Sequence, residues 1–150
     1  PFFIAVLYYY YQFGDVYGMF SAGVDLVSIQ RIKKAMRNPS FVSRILSSRE
    51  MERLRAKGLP AQSVAVAFAA KEAFAKCAGT GLSGFSLNEV ELLSDENGKP
   101  YYAFAGKAAQ LVAELGARFA VSVTHEGDFA CAVSFAYPID SDFQLKGGQA

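Results

Sequence analysis

Two acids, two lysines and one histidine are the residues whose types and spacing could do chemistry in this chain. Lys71, Glu72 and Lys76 share the run Phe68-Ala69-Ala70-Lys71-Glu72-Ala73-Phe74-Ala75-Lys76. In a helix, Glu72 and Lys76 leave the same side, with Phe68 one turn back. Lys71 sits beside them, about 100° around the axis. On spacing alone such a Glu–Lys pair is most often a surface salt bridge. Asp25, in Gly23-Val24-Asp25, is an acid inside an apolar run, which is costly without a partner. A metal ion shared with Glu72 would be one. Two carboxylates, phosphate oxygens and water make an ordinary Mg²⁺ shell. The alternative is a strand-end Asp25 that caps the next helix. The single histidine, His125, ends Ser122-Val123-Thr124-His125 beside an acidic turn. A lone His there is more often a surface or packing residue than a functional one.

The elements that must position these residues are legible in the pattern. Phe20 to Val27 reads as a short buried strand with a bend at Gly23. Ser28 can cap a helix IQRIKKAMR, with Ile29, Ile32 and Met36 on one side and Arg31, Lys34 and Arg37 largely on another. Asn38-Pro39-Ser40 breaks it, and a short segment FVSRIL follows. Ser47 to Glu50 is a capping box for a helix to about Lys57, ended by Gly58 and Pro60. The Ala-rich stretch Ala61–Ala78 predicts a long helix closed by Gly79-Thr80-Gly81. Leu87 to Leu93 and Pro100 to Phe104 predict strands joined by a turn at Asp95–Gly98, and Lys107 to Leu115 a short helix. Arg118 to Thr124 alternates Phe119, Val121 and Val123 against Ala120, Ser122 and Thr124. In a final strand, Phe129 to Ala136, Phe129, Cys131, Val133 and Phe135 share a face. Helices cluster early and strands late, so the class is α+β with an antiparallel sheet packed on a long helix.

Composition bounds the rest. One hundred and fifty residues fit one domain, and 52% apolar with 19% charged residues means a globular chain. A net charge of +1 leaves any attraction for anions to local patches. Cys77 and Cys131 read as buried thiols in a reducing compartment, and a structural zinc site lacks its ligands. Nucleic-acid binding is not supported, because the cations are few and unjoined by a base-reading element. The apolar run Phe2–Phe13 is too short to span a bilayer and lacks the flanks of a signal peptide, so no membrane partner is expected. Met19 reads as the natural start and residues 1–18 as an appended extension, or else as an extra apolar strand packed on the body or a neighbouring chain. The main domain is expected over 19–138, with a polar, frayed tail at 139–150.

The pieces GVDLV with IQRI after it, FAAKEAFAK, GTG at 79–81, NGKPYY at 97–102, GKAA at 106–109 and VSVTH at 121–125 come in a telling order and spacing. They resemble the short, trimeric type of holo-acyl carrier protein synthase, a 4′-phosphopantetheinyl transferase. The likeness covers about residues 19–137. One departure stands out: Ala67 occupies a position where the family usually has Arg.

The resemblance implies a homotrimer with active sites at subunit interfaces, Asp25 from one chain and Glu72 from the next. Both would hold Mg²⁺ on the pyrophosphate of coenzyme A, the substrate, as a carrier-protein serine attacks and 3′,5′-ADP leaves. Lys71 and Lys76 would meet charge on the leaving phosphate. Glu72 would take the serine proton, directly or through a water. Gly79, Thr80 and Gly81 would allow close approach of phosphate or pantetheine. Ser122, Thr124 and His125 would bind the nucleotide. Acyl carrier proteins are acidic helical bundles, so Arg31, Lys34, Arg37 and Arg44 would recruit one, with Lys33 merely solvated. The implied location is cytoplasmic. Two rival readings of the sequence are a different Mg²⁺-dependent phosphotransferase and a non-catalytic module that binds acidic proteins.

Overall fold

The computed structural model describes residues 7–13 and 16–139. Residues 1–6 and the expected polar tail from 140 onward lie outside them. Strand β1 (Leu7–Phe13) pairs antiparallel with β2 (Val16–Ser28). Three short helices follow: α1 (Ile29–Ala35), α2 (Pro39–Ile45) and α3 (Ser48–Arg55). Then come α4 (Ala61–Ala78), β3 (Val90–Ser94), β4 (Pro100–Phe104), α5 (Gly106–Leu115), β5 (Ala117–Glu126) and β6 (Phe129–Pro138). All pairings are antiparallel, in a four-stranded sheet ordered β1-β2-β6-β5 and a separate β3–β4 ribbon. The α+β expectation holds.

Local chemistry explains most boundaries. Ser28 caps α1, Asn38 caps α2, and Ser47 with Glu50 forms the complete capping box of α3. α4 ends at Gly79, whose φ of 76° is the left-handed stop that glycine allows. The strand expected from Leu87 instead opens with one 3₁₀ turn, Leu87–Glu89, because Ser86 and Glu89 cap each other there. α1 stops at Ala35, two residues before Arg37, and the FVSRIL segment is helical within α2. β2 starts at Val16 and runs through the expected domain start at Met19.

α4 is the centre of the molecule. Its Phe74 is fully buried among Phe85, Tyr102, Phe104 and Phe119, with ring centroids 4.9–5.7 Å away. Burial of a ring this size contributes roughly 1.5–3 kcal/mol. The sheet meets α4 through small residues, Ala130, Ala132, Ser134 and Ala136 of β6, all buried. The opposite face of the sheet has no second layer among the described residues. Phe20, Val24 and Leu26 of β2 and Phe129 and Phe135 of β6 are exposed on it. The strand expected to be buried over Phe20–Val27 is therefore buried on one side only. The bulky face of β6 points out and the small face in, because only small side chains let the helix lie close. Cys77 is buried and Cys131 only half-buried; both are free thiols.

Candidate functional site

The closest approach of β2 and α4 makes the site. A Cβ built on Gly23 would lie 2.2 Å from the Ala73 carbonyl oxygen and 2.5 Å from the Cys77 nitrogen. Glycine is thus the residue that lets these backbones touch. Beside it, the Ser21 hydroxyl donates to the Cys77 carbonyl at 2.7 Å. Two residues on from Gly23, on the same face of the strand, Asp25 meets the helix.

Lys76 Nζ donates to Asp25 Oδ1 at 2.8 Å and to the Val24 carbonyl at 3.0 Å. Glu72 lies one turn back along α4, half-buried. Burial first, and the nearby Asp25 carboxylate second, push its pKa up, with Lys76 opposing. Beyond Val66, α4 is buried except for one partly exposed stripe: Phe68, Glu72 and Lys76. The helix therefore presents to solvent the very i, i+4 pair that faces Asp25. Two carboxylates with one ammonium leave a local excess of one negative charge.

That donor set fits a hard divalent cation. Among the described residues no group of three or more His, Cys, Asp or Glu could hold a metal. The protein would therefore supply two carboxylate ligands, Asp25 and Glu72, and leave the remaining positions to phosphate oxygens and water, as Mg²⁺ prefers.

The expectation that the two acids come from different chains is overturned. Asp25 bonds Lys76 within one chain, and the same Asp25 perturbs Glu72. Lys71 is a second correction. Its side chain is fully buried, with Nζ 2.6 Å from Glu50 Oε2 and 2.5 Å from the Ile45 carbonyl oxygen. Desolvation lowers its pKa, with Glu50 opposing. The 100° turn that separates it from Glu72 points it into the core, so it cannot meet a phosphate here.

The remaining expected residues fall in three other places. Gly79, Thr80 and Gly81 continue directly from α4 past Lys76, with Gly81 at φ 57° and the Thr80 hydroxyl donating to the Gly81 carbonyl. Ser122 and Thr124 are exposed on the outer face of the sheet, opposite Val133 and Cys131. His125 is on the α4 side of β5, where its Nε2 pairs with the Gln62 amide at 2.7 Å. Gln62 and Lys76 are fourteen residues apart on α4, roughly 21 Å along its axis. Within one chain, His125 and the acid pair therefore occupy opposite ends of the helix.

A cavity of about 250 Å³ surrounds His125, lined also by Arg53, Lys57, Gln62, Ala67 and Val123. Arg53 Nη2 donates to the Leu92 carbonyl at 2.9 Å, while its Nε is buried without a partner among the described residues. Arg53 and Lys57, two cations that spacing did not single out, thus line the same cavity as Ala67. Glu50 was legible only as a capping residue. The sign of its second role is that a capping carboxylate has an oxygen to spare. Arg31, Lys34 and Arg37 line one open depression with Asn38, and Arg44 is exposed on the adjoining α2.

Comparison with known proteins follows the same outline. A family model described as the 4′-phosphopantetheinyl transferase superfamily matches residues 21–134. A holo-[acyl-carrier-protein] synthase of Caldanaerobacter subterraneus subsp. tengcongensis is 39% identical over 116 residues, covering 76% of this chain and 91% of the relative. The crystal structure of the holo-[acyl-carrier-protein] synthase of Neisseria meningitidis superposes with a TM-score of 0.73 at 34% identity, over 77% of this chain and 95% of that one. The Helicobacter pylori holo-[acyl-carrier-protein] synthase, solved in complex with coenzyme A, gives a TM-score of 0.67 at 26% identity, over 77% and 98%.

Proposed function

The chain belongs to the 4′-phosphopantetheinyl transferase superfamily, and within it to the holo-acyl carrier protein synthases; from that membership we propose the reaction and the role of each residue. The chain transfers the 4′-phosphopantetheine arm of coenzyme A to a serine of an apo-acyl carrier protein. The serine oxygen bonds to the β-phosphorus, the bond to the bridging oxygen breaks, and 3′,5′-ADP leaves. Support comes above all from one observation: Asp25, Glu72 and Lys76 meet on the exposed side of a single β2–α4 contact.

Glu72 is the base. Its place on the exposed side of α4 beside Asp25 and Lys76 suits a group that takes the serine proton, directly or through a water. Lys76 steadies Asp25 and presents its charge to the leaving phosphate. Asp25 and Glu72 would hold Mg²⁺, which when bound would neutralise charge on the pyrophosphate. Gly79, Thr80 and Gly81 flank the arm. His125, Ser122 and Thr124 bind the nucleotide, with Arg53 and Lys57 adding cations in the cavity beside His125.

The assembly is a homotrimer. Its support is the exposed apolar sheet face, Phe20, Val24, Leu26, Phe129 and Phe135, which a second copy would cover. In such an assembly the acid pair of one subunit and the His125 cavity of its neighbour would share one substrate. Arg31, Lys34, Arg37 and Arg44 dock the acidic carrier protein. Two free thiols suit a reducing compartment such as the cytoplasm. No helix among the described residues is long and apolar enough to cross a membrane.

The test is incubation with coenzyme A, Mg²⁺ and apo-acyl carrier protein, followed by intact-mass analysis. A gain of one phosphopantetheine group supports the reading, and an unmodified carrier protein refutes it.

A further inference from the structure

The buried pair of Lys71 and Glu50 is the most completely bonded charged group among the described residues, and it adjoins the acid site through a single peptide bond. Lys71 Nζ donates to Glu50 Oε2 and to the Ile45 carbonyl. Glu50 Oε2 also accepts from the Ser47 backbone N–H at 2.8 Å, and Oε1 from the Leu92 N–H at 2.9 Å. Both side chains are at 0% exposure. One cluster therefore ties α4 to the end of α2, the start of α3 and strand β3.

The Glu50 carboxylate serves stability by accepting from the Ser47 and Leu92 N–H groups, but stability does not call for an ion pair with Lys71. Apolar residues of similar volume commonly serve a core as well as a buried ion pair does, or better. What the pair adds is direction. Phe74 in its aromatic cage and the contact of Gly23 with Ala73 and Cys77 hold one side of α4, and the Lys71 side carries the small residues Ala67, Ala75 and Ala78. On that side Lys71 bonds three fixed backbone points through Glu50 and Ile45. Any rotation of α4 that swings Glu72 and Lys76 away from Asp25 must stretch those bonds. Misplacement of a reacting group by about 1 Å can cost on the order of 10²-fold in rate.

We propose that Lys71 and Glu50 are positioning residues for the transfer reaction: the pair sets the rotation of α4, and with it the placement of Glu72 and Lys76 opposite Asp25. This role rests on the transferase reading above and adds residues that touch neither substrate nor metal.

The test replaces both charges at once, Lys71→Met with Glu50→Leu, in the full chain. The double variant should melt cooperatively within about 10 °C of the wild type. Its kcat should fall roughly tenfold to a hundredfold while KM for coenzyme A stays within about twofold, the signature of lost alignment rather than lost binding. A folded double variant with wild-type kcat overturns the proposal. So does a fall confined to KM. Should the double variant not melt cooperatively, Glu50→Gln decides by the same two readings. Failure of that near-isosteric variant to fold would mark the pair as purely structural and also overturn the proposal. An inactive wild type would refute the transferase reading and take the positioning role with it. An active wild type beside an equally active, folded double variant refutes the positioning role alone.

Discussion

Lys71 and Glu72 are neighbours in sequence and opposites in environment. Lys71 is fully buried, and its ammonium meets the Ile45 carbonyl and a carboxylate that is itself held by two backbone N–H groups. Glu72 is half-buried, sits near a second carboxylate, and takes part in none of the three side-chain ion pairs among the described residues. Burial lowers the proton affinity of the first and raises that of the second. A charge that is desolvated and fully bonded belongs to the scaffold. A charge that is desolvated and left in excess is held ready for something that arrives. One turn of one helix carries both kinds, and the difference supports the separate roles proposed for them.

The comparison breaks first on activity. Asp25→Ala or Glu72→Ala should lower transfer by at least roughly 10²–10³-fold with a melting temperature close to wild type, since neither side chain is in the core. Excess chelator should do the same. Turnover near the wild-type rate in either variant, or in chelator, would remove the acid pair from the reaction.

Lys71→Ala should show the reverse order of effects. It strands the Glu50 carboxylate in the core, so stability should fall by about 3–5 kcal/mol, read from urea or thermal unfolding. A change of under about 1 kcal/mol would mean that the pair is not buried in solution as it is here.

A smaller effect separates chemistry from recruitment. Arg31→Glu with Arg37→Glu should raise KM for the carrier protein on the order of tenfold, and leave KM for coenzyme A and kcat nearly unchanged. Added salt should weaken the wild type in the same direction, because exposed charges are screened within about 10 Å at 0.1 M. A fall in kcat at saturating carrier protein would place these cations in the reaction instead.

The smallest effect concerns Glu72 alone. Its folded pKa is raised, so the ionised carboxylate destabilises the native state at neutral pH. That penalty fades as pH falls through the folded pKa and vanishes below the unfolded value of about 4.3. Glu72→Gln, inactive in transfer, should therefore melt about 1–4 °C above the wild type at pH 7 without Mg²⁺. The gap should close on acidification. A gap that widens as pH falls would contradict the raised pKa.

Much of the scaffold was legible because its signals are local. Ala61–Ala78 with Gly79, the Ser47–Glu50 capping box and the alternation of Phe119, Val121 and Val123 each act within a few residues. The candidate site was legible in part for the same reason: i, i+4 spacing places Glu72 and Lys76 together wherever the helix goes. What spacing lacks is which way the helix is rolled against the sheet. That roll buries Lys71, joins Asp25 to Lys76 within one chain, and turns the small face of β6 inward while Phe129 and Phe135 face out. Alternation in a strand names two faces without saying which is covered. Gly23 holds the missing clue, but its meaning depends on Ala73 and Cys77, some fifty residues away.

The most direct test of the central claim, that one chain supplies both acids, is complementation. Asp25→Ala and Glu72→Ala chains are unfolded together, refolded as a mixture, shown by native mass to have co-assembled, and assayed for transfer to apo-acyl carrier protein. With Asp25, Glu72 and Lys76 gathered at one β2–α4 contact, no subunit of the mixture has an intact site, and transfer should stay at the level of either variant alone. Recovery of a substantial fraction of wild-type transfer would put the two acids on different subunits and contradict the account.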